Sequence, residues 1–325
     1  MHNFCFCAIV VWVICMDKFT VKAVVEKQLS TKVKRVYKVG KGASGAVFCA
    51  EISDIPYKIA VKMSEHNDAV SKEKSMLEFL SDKVSFKVPK TYFVVQQNGI
   101  TFLGMEYIKG IGGKSKLLPF VPNKKHLVNS IIDAFMNMQS NHNDKFGKYD
   151  NPEFDSWYDY YKNFFESIYL FACDKHSKGE IEDVVWKAVE LIDINFNKIF
   201  SNKITTACLC HGDFWFPNMI IDFWKSELVS VIDPFDMLWA EPEYELFCFT
   251  LMYGEKLRLY DKYKQRNSVS EFCDLKVELY ALCNELHWYS VLGTIGHDYL
   301  KYRSERLIEQ MKINFSLKNK DLYRL

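Results

Sequence analysis

Three groups of residues in this 325-residue chain could act together on a phosphate. The densest is Leu209-Cys-His211-Gly212-Asp213-Phe-Trp215-Phe-Pro-Asn218, followed by an apolar run, Val229-Ser-Val-Ile232, that ends on Asp233. Moving a phosphoryl group asks little covalent chemistry of a protein. It asks for a carboxylate beside the attacking hydroxyl and for hard oxygen ligands that hold a divalent cation such as Mg2+. Asp213 fits the first role. Asn218, five residues on, and Asp233, 20 residues on, fit the second. A capped turn with a solvated aspartate is the plainer alternative, and the combined spacing disfavours it.

The second group is Ile59-Ala-Val-Lys62. A lysine in an apolar strand is costly to bury unless an anion meets it. The phosphates of ATP are such an anion, and Glu73, 11 residues later, is the carboxylate that would hold the ammonium in place. Glu78 is a fallback partner nearer the end of the same helix. The third group is Gly40-Lys-Gly42-Ala-Ser-Gly45. Glycines let backbone N–H groups approach phosphate oxygens closely. The same spacing marks dinucleotide sites when a strand runs into a helix. Here a strand follows, which suits a hairpin laid over ATP. Singly, each group has an ordinary reading: a flexible hairpin, or a surface lysine and a solvated glutamate.

Other residues carry weaker suggestions. Asp236, Glu241, Glu243 and Glu245 cluster just past Asp233 and could attract a cationic amine, or could simply start a solvated helix. Trp215 could stack on a sugar ring or pack in the core. Trp157, Tyr158, Tyr160 and Tyr161 read as helix-packing residues, and His211 as a hydrogen-bonded organiser of its loop.

The elements that must position these groups fall into two patterns. From about Val33 to Glu106 the chain reads β-β-β-α-β-β. VKRVYKV, AVFCAEI and YKIAVKM are rich in β-branched and aromatic residues, and DAVSKEKSMLEFLSD repeats Val70, Met76, Leu77 and Leu80 at helical spacing behind an Asn67/Asp68 cap. KTYFVVQQ and ITFLGMEYI flank Asn98-Gly99, a strong hairpin signal. Residues 109–116, with three glycines, read as a linker. Helical patterns follow at 125–141, 154–171 and 181–199, a β-like stretch lies near 208–232, and helices resume from about 242 to 317. The expected fold class is therefore α+β and bilobal: a small antiparallel sheet with one helix (16–108) and a larger, mainly helical lobe (109–325).

Composition excludes several functions. Lys and Arg number 42 against 41 Asp and Glu, so no basic excess points to nucleic acid or an anionic membrane. Ten cysteines occur without any C-x-x-C pair, which reads as reduced thiols and a cytoplasmic setting. Phe4 to Cys15 is an unbroken apolar run, but as a helix it would be about 18 Å long against a hydrocarbon core of roughly 30 Å. It lacks the flanks of a secretory signal, and no stable membrane insertion is expected. Met16 opens an ordinary sequence and is the expected start of translation, so residues 1–15 are set apart from the fold.

With these residues in view, the chain resembles the aminoglycoside phosphotransferase and choline kinase superfamily, whose fold is protein-kinase-like. H-G-D-x4-N and the strand-ending Ile-Asp match that superfamily rather than protein kinases, with their H-R-D, D-F-G and A-P-E elements. Within it, His211-Gly-Asp-Phe-Trp215, Phe146-Gly-Lys-Tyr-Asp-Asn151, Trp157 with Phe164-Phe165, Asp233-Pro234 through Glu245-Leu246, and Met252-Tyr-Gly254 are similar to stretches of fructosamine (ketosamine) kinases. The resemblance implies a kinase that uses ATP and Mg2+ on a hydroxyl of a small, amine-bearing acceptor. It implies Asp213 as catalytic residue, Asn218 and Asp233 at the metal, and Gly40, Gly42, Gly45, Lys62 and Glu73 at the phosphates. Backbone groups of Met105–Ile108, Glu106 and Ile108 among them, would meet the adenine. There are departures. Phe216-Pro217 replaces a small residue and a glycine before Asn218, removing a backbone donor. Glu245 stands for a usual aspartate, and Ala240 for a common glycine. An aminoglycoside kinase, a protein kinase acting on a partner and a nucleotide-binding pseudokinase are the competing readings.

Overall fold

In β-strands successive side chains face opposite ways, and that alternation decides where the chemistry of this chain can sit. The computed structural model describes residues 4–42, 45–65, 67–293 and 295–315. Its elements run α1 (Phe4–Leu29), β1 (Val33–Gly42), β2 (Gly45–Ile52), β3 (Lys58–Ser64), α2 (Asn67–Ser81), β4 (Thr91–Gln97), β5 (Ile100–Glu106), β6 (Ile111–Gly112), α3 (Lys124–Gln139), β7 (His142–Asn143), β8 (Phe146–Lys148), β9 (Asn151–Phe154), α4 (Trp157–Ser177) and α5 (Asp183–Ile199). They continue with β10 (Ala207–Cys210), β11 (Met219–Asp222), β12 (Glu227–Val231), β13 (Leu238–Ala240), α6 (Met252–Lys256), α7 (Leu259–Lys264), α8 (Cys273–Leu292) and α9 (His297–Phe315). The chain divides into two units: Met1–Pro122 with Met219–Phe235, and Asn123–Asn218 with Asp236–Leu325.

The first unit is built on an antiparallel sheet of order β1-β2-β3-β5-β4. Ala46, Phe48, Ala50 and Ile52 of β2, Ile59 and Val61 of β3, and Phe102 of β5 pack on one face with Val21, Val24 and Val25 of α1. The opposite face takes α2: Val70 and Leu77 meet Leu103 and Met105, with Ala60 alongside. Lys62 follows Val61 and shares parity with Ala60, so it points to the α2 face. The helix in front of β1 corrects the β-β-β-α-β-β reading of this lobe. Its packed stripe, Val21, Val24, Val25, has i, i+3, i+4 spacing and was legible. Side chains of residues 4–16, the apolar run included, lie outside the described residues, as does that of Asn67, the expected cap.

The expected linker holds a short strand. β6 pairs with β11, which pairs with β12, giving a second small sheet in this unit. Gly110 lets the chain through: a Cβ there would stand 2.8 Å from the Ile221 carbonyl oxygen. Lys87 joins the same sheet, donating its N–H to the Val229 carbonyl at 2.9 Å.

In the second unit a sheet of order β7-β10-β13-β8-β9 is packed among helices. α3 buries Leu127, Ile131, Phe135 and Met138, the stripe expected from sequence, and Asn123 caps it by accepting from the His126 N–H at 3.0 Å. α4 starts at Trp157 rather than Phe154, because Ser156 caps it by accepting the Asp159 N–H, while Phe154 ends a strand. Trp157, Tyr161 and Phe165 are buried, and the Trp157 indole N–H donates to the Tyr280 hydroxyl at 2.9 Å. Among the described residues no helix is long and apolar enough to cross a membrane.

Candidate active site

Two clusters take shape, one in each unit. In the first unit, the Lys62 ammonium, 6% exposed, donates to Glu73 Oε2 at 2.6 Å and to Asp233 Oδ1 at 2.7 Å. β3 delivers Lys62 to the α2 face, α2 delivers Glu73, and the end of β12 delivers Asp233 in a left-handed backbone conformation with φ 61°. Burial alone would lower the Lys62 pKa, but Glu73 and Asp233 more than offset it and leave it above its ordinary value. Burial pushes Glu73 up to about 7, Lys62 opposing the rise and Asp233 adding to it. Glu78 accepts from the Thr91 hydroxyl instead, so the fallback partner is not the one Lys62 uses.

The glycine hairpin belongs to the same unit. Gly42 pairs with Gly45 at its tip, and residues 43–44 lie outside the described residues. Gly45 has φ 144°, and a Cβ there would fall 2.1 Å from the Met63 carbonyl oxygen, so only glycine fits. A Cβ at Gly40 would meet the Val47 Cβ at 3.9 Å, an ordinary contact, so this position does not demand glycine. At the end of β5 the Glu106 N–H donates to the Lys90 carbonyl at 2.8 Å and its carboxylate holds the Lys87 ammonium. Ile108 is buried.

In the second unit, the loop after β10 is ordered by side-chain to backbone bonds. Asn218 Nδ2 donates to Asp213 Oδ2 at 2.6 Å and to the Asp213 carbonyl at 3.1 Å. The Trp215 N–H donates to the Asp213 carbonyl at 3.0 Å, and the Asn218 N–H to the Trp215 carbonyl at 3.0 Å. Beneath the loop, Glu245, 1% exposed, accepts the His211 and Phe214 N–H groups at 3.0 Å each. Burial pushes the Glu245 carboxyl up to about 8, with those N–H donors pulling it down and Asp213 raising it further. The Trp215 indole N–H is buried without a hydrogen-bond partner.

Most of the acidic cluster turns inward. Glu241 and Glu243 receive the buried Lys276 ammonium at 2.8 and 3.2 Å, the Tyr280 hydroxyl donates to Glu241, and the Ser270 hydroxyl donates to Glu243 at 2.6 Å. Neither carboxylate is placed to attract a solvated amine, nor is Glu245. Asp236 alone of the four keeps an exposed carboxylate, 66% of its side chain reaching solvent. Glu245 is the residue of this site whose place the sequence reading missed. It stood out as one acid of that cluster and as a glutamate in an aspartate's place, and nothing in the spacing tells which acid reaches back 34 residues to a loop.

A family model for fructosamine kinase matches residues 16–313. The chain belongs to the fructosamine kinase family. It is a phosphotransferase acting on hydroxyl groups of small molecules. Among curated protein sequences none matches. Solved structures agree on the protein-kinase-like fold. A candidate fructosamine-3-kinase from Haemophilus somnus 129PT is 17% identical, with 92% of this chain and 99% of that one covered and a TM-score of 0.66. Aminoglycoside phosphotransferase APH(4)-Ia, in a ternary complex with AMP-PNP and hygromycin B, is 13% identical over 92% and 99% with a TM-score of 0.67. A GDP complex of an aminoglycoside 2'-phosphotransferase is 15% identical over 92% and 98% with a TM-score of 0.65. At such identities these likenesses concern the fold.

Proposed function

We propose that this small-molecule kinase transfers the γ-phosphoryl group of ATP to a hydroxyl of an amine-bearing acceptor of the ketosamine class. The observation that carries the reading is the buried Lys62 ammonium held between Glu73 and Asp233. A cation kept dry and charged at the end of an apolar strand has an anion to serve, and the triphosphate is that anion. In this reading Gly40, Gly42 and Gly45 cover the phosphates, Lys62 contacts them and Glu73 positions it. Backbone groups from Met105 to Ile108 meet the adenine. The Glu106 N–H is already engaged, so Ile108 and the Glu106 carbonyl carry that contact.

Asp213 orients the acceptor hydroxyl and takes its proton. Asn218 fixes one carboxylate oxygen through its amide N–H and so sets the orientation of the carboxylate. That same bond turns the Asn218 amide oxygen away from Asp213. That amide oxygen and the Asp233 carboxylate are each the hard-oxygen type of donor that Mg2+ takes, and in this reading these two residues would hold the ion. When bound, it would neutralise charge on the transferring phosphate. A reducing, cytoplasmic setting goes with the reading, since the described cysteines are unpaired.

Coupled ADP detection across ketosamines, aminoglycosides, choline and simple sugars tests the proposal. Magnesium-dependent ADP release with a ketosamine supports it. Release with aminoglycosides alone would favour an antibiotic-type acceptor, the kind of ligand bound in the APH(4)-Ia complex. No release with any acceptor would overturn the kinase reading in favour of a nucleotide-binding role.

A further inference from the structure

We infer that Asp236 is the carboxylate that receives the ammonium group of the acceptor, with Tyr160 and His287 as the flanking walls of that subsite. The inference rests on the kinase reading above and adds the residues that would recognise the amine. β10 and β13 form an antiparallel ladder whose last pair is Cys210 with Leu238. Asp213 lies three residues beyond that pair on one strand and Asp236 two residues beyond it on the other, so both leave the same end of one ladder. Beneath them, adjacent residues register the two acids: Asp236 acts electrostatically on Tyr244, and Asp213 on Glu245.

The chemistry around Asp236 suits a hydrated cation. His287 Nε2 stands 3.5 Å from Oδ2, a long contact beside a carboxylate whose side chain is 66% exposed, so a ligand can reach it. Tyr160 stacks on Trp157 at 5.3 Å and meets the edge of Phe154 at 5.4 Å, and His287 meets Phe164 edge-on at 5.5 Å. Burial, and then the charge of Asp236, raise the Tyr160 hydroxyl to about 12, so it stays a neutral donor. An exposed carboxylate with aromatic side chains in its neighbourhood recognises an ammonium by charge and by ring face together. The three other acids nearby are buried and committed, which leaves Asp236 as the acid of this segment that a ligand can reach.

Calorimetric titration of the full chain with 1-amino-1-deoxyfructose and with fructose tests this, using wild type, Asp236→Asn and Asp236→Glu. Wild type is expected to bind the amino sugar about tenfold more tightly than fructose, as one charged hydrogen bond allows. Asp236→Asn should erase that preference while leaving fructose affinity unchanged, and Asp236→Glu should keep most of it. Raising the salt concentration should weaken binding of the amino sugar only. A wild type without preference, or an Asp236→Asn chain that keeps it, overturns the assignment. Matching melting curves exclude misfolding, and ADP release measured separately keeps the two readings apart. Asp236-dependent binding without any ADP release would sink the kinase reading and leave the subsite standing. Turnover with an unchanged preference would do the reverse.

Discussion

The two clusters solve the same problem, a carboxylate out of water, by opposite means. In the first unit Glu73 sits against a buried ammonium, so a charge is held by a charge. In the second, Glu245 is equally buried but is met by backbone N–H groups, those of His211 and Phe214 among them. The first arrangement fixes the position of one side chain, Lys62. The second fixes the path of a loop, and through it both Asp213 and Asn218. On the proposed reading, charge pairing is used where an anion is to be met, and dipole pairing where backbone shape matters. Removing a partner should therefore damage the two units in different ways.

The largest effect is expected from Asp213→Asn, which keeps the loop's shape but loses the base. Positioned proton transfer is worth about 10²–10⁴-fold in rate, so kcat should fall by that order while ATP affinity stays nearly constant. A variant turning over at the wild-type rate would remove Asp213 from the mechanism. Next, Lys62→Met should destabilise the chain by roughly 3–5 kcal/mol, since it leaves Glu73 buried and uncompensated. Pairing it with Glu73→Leu should recover most of that stability in urea melts without restoring ATP binding. Recovery of both would show that the ion pair is only structural.

Glu245→Gln sharpens the contrast from the other side. An amide offers one acceptor oxygen in place of two, so one loop N–H loses its partner, at a cost of about 1–3 kcal/mol. Turnover should drop with it, because Asp213 is carried by that loop. The pH dependence follows from the same residue. With its folded pKa up at about 8 against an ordinary 4.5, Glu245 keeps a proton in the folded chain that the unfolded chain has released. Stability from this group is complete below about 4.5 and declines as pH rises towards about 8. Denaturant midpoints of wild type should show that decline, and Glu245→Gln should flatten it. A wild-type profile already flat across that window would mean that the N–H donors keep Glu245 ionised throughout.

How much of this was legible depends on how far apart in sequence the partners lie. Lys62 and Glu73 are 11 residues apart on consecutive elements, and the parity of β3 with the stripe of α2 brings them together with no further information. Asp213 and Asn218 share one loop. Asp233 could be read as a strand-end carboxylate, though not as a partner of Lys62, 171 residues earlier. Glu241 could be read as part of a solvated helix start because its burial against Lys276, 35 residues on, comes from the packed helices and leaves no local mark. The misplacement of the acidic cluster has the same origin. α1 is different: the Val21, Val24, Val25 stripe was present, and the apolar run before it drew the reading away from it.

One consequence follows from the way the chain returns to its first unit. The hairpin of β11 and β12 belongs with β6, yet almost a hundred residues of the helical unit are synthesised before it. At about 5–20 residues per second, a ribosome supplies that hairpin on the order of ten seconds after β6 has emerged. Until then the small sheet has an open edge at β6, Lys87 has no Val229 carbonyl to bond, and Lys62 waits without Asp233. A fragment ending near Pro122 should therefore be an incomplete lobe, and the nascent protein can close its first unit only once Phe235 has been made, with Asp236–Leu325 of the other unit still to follow.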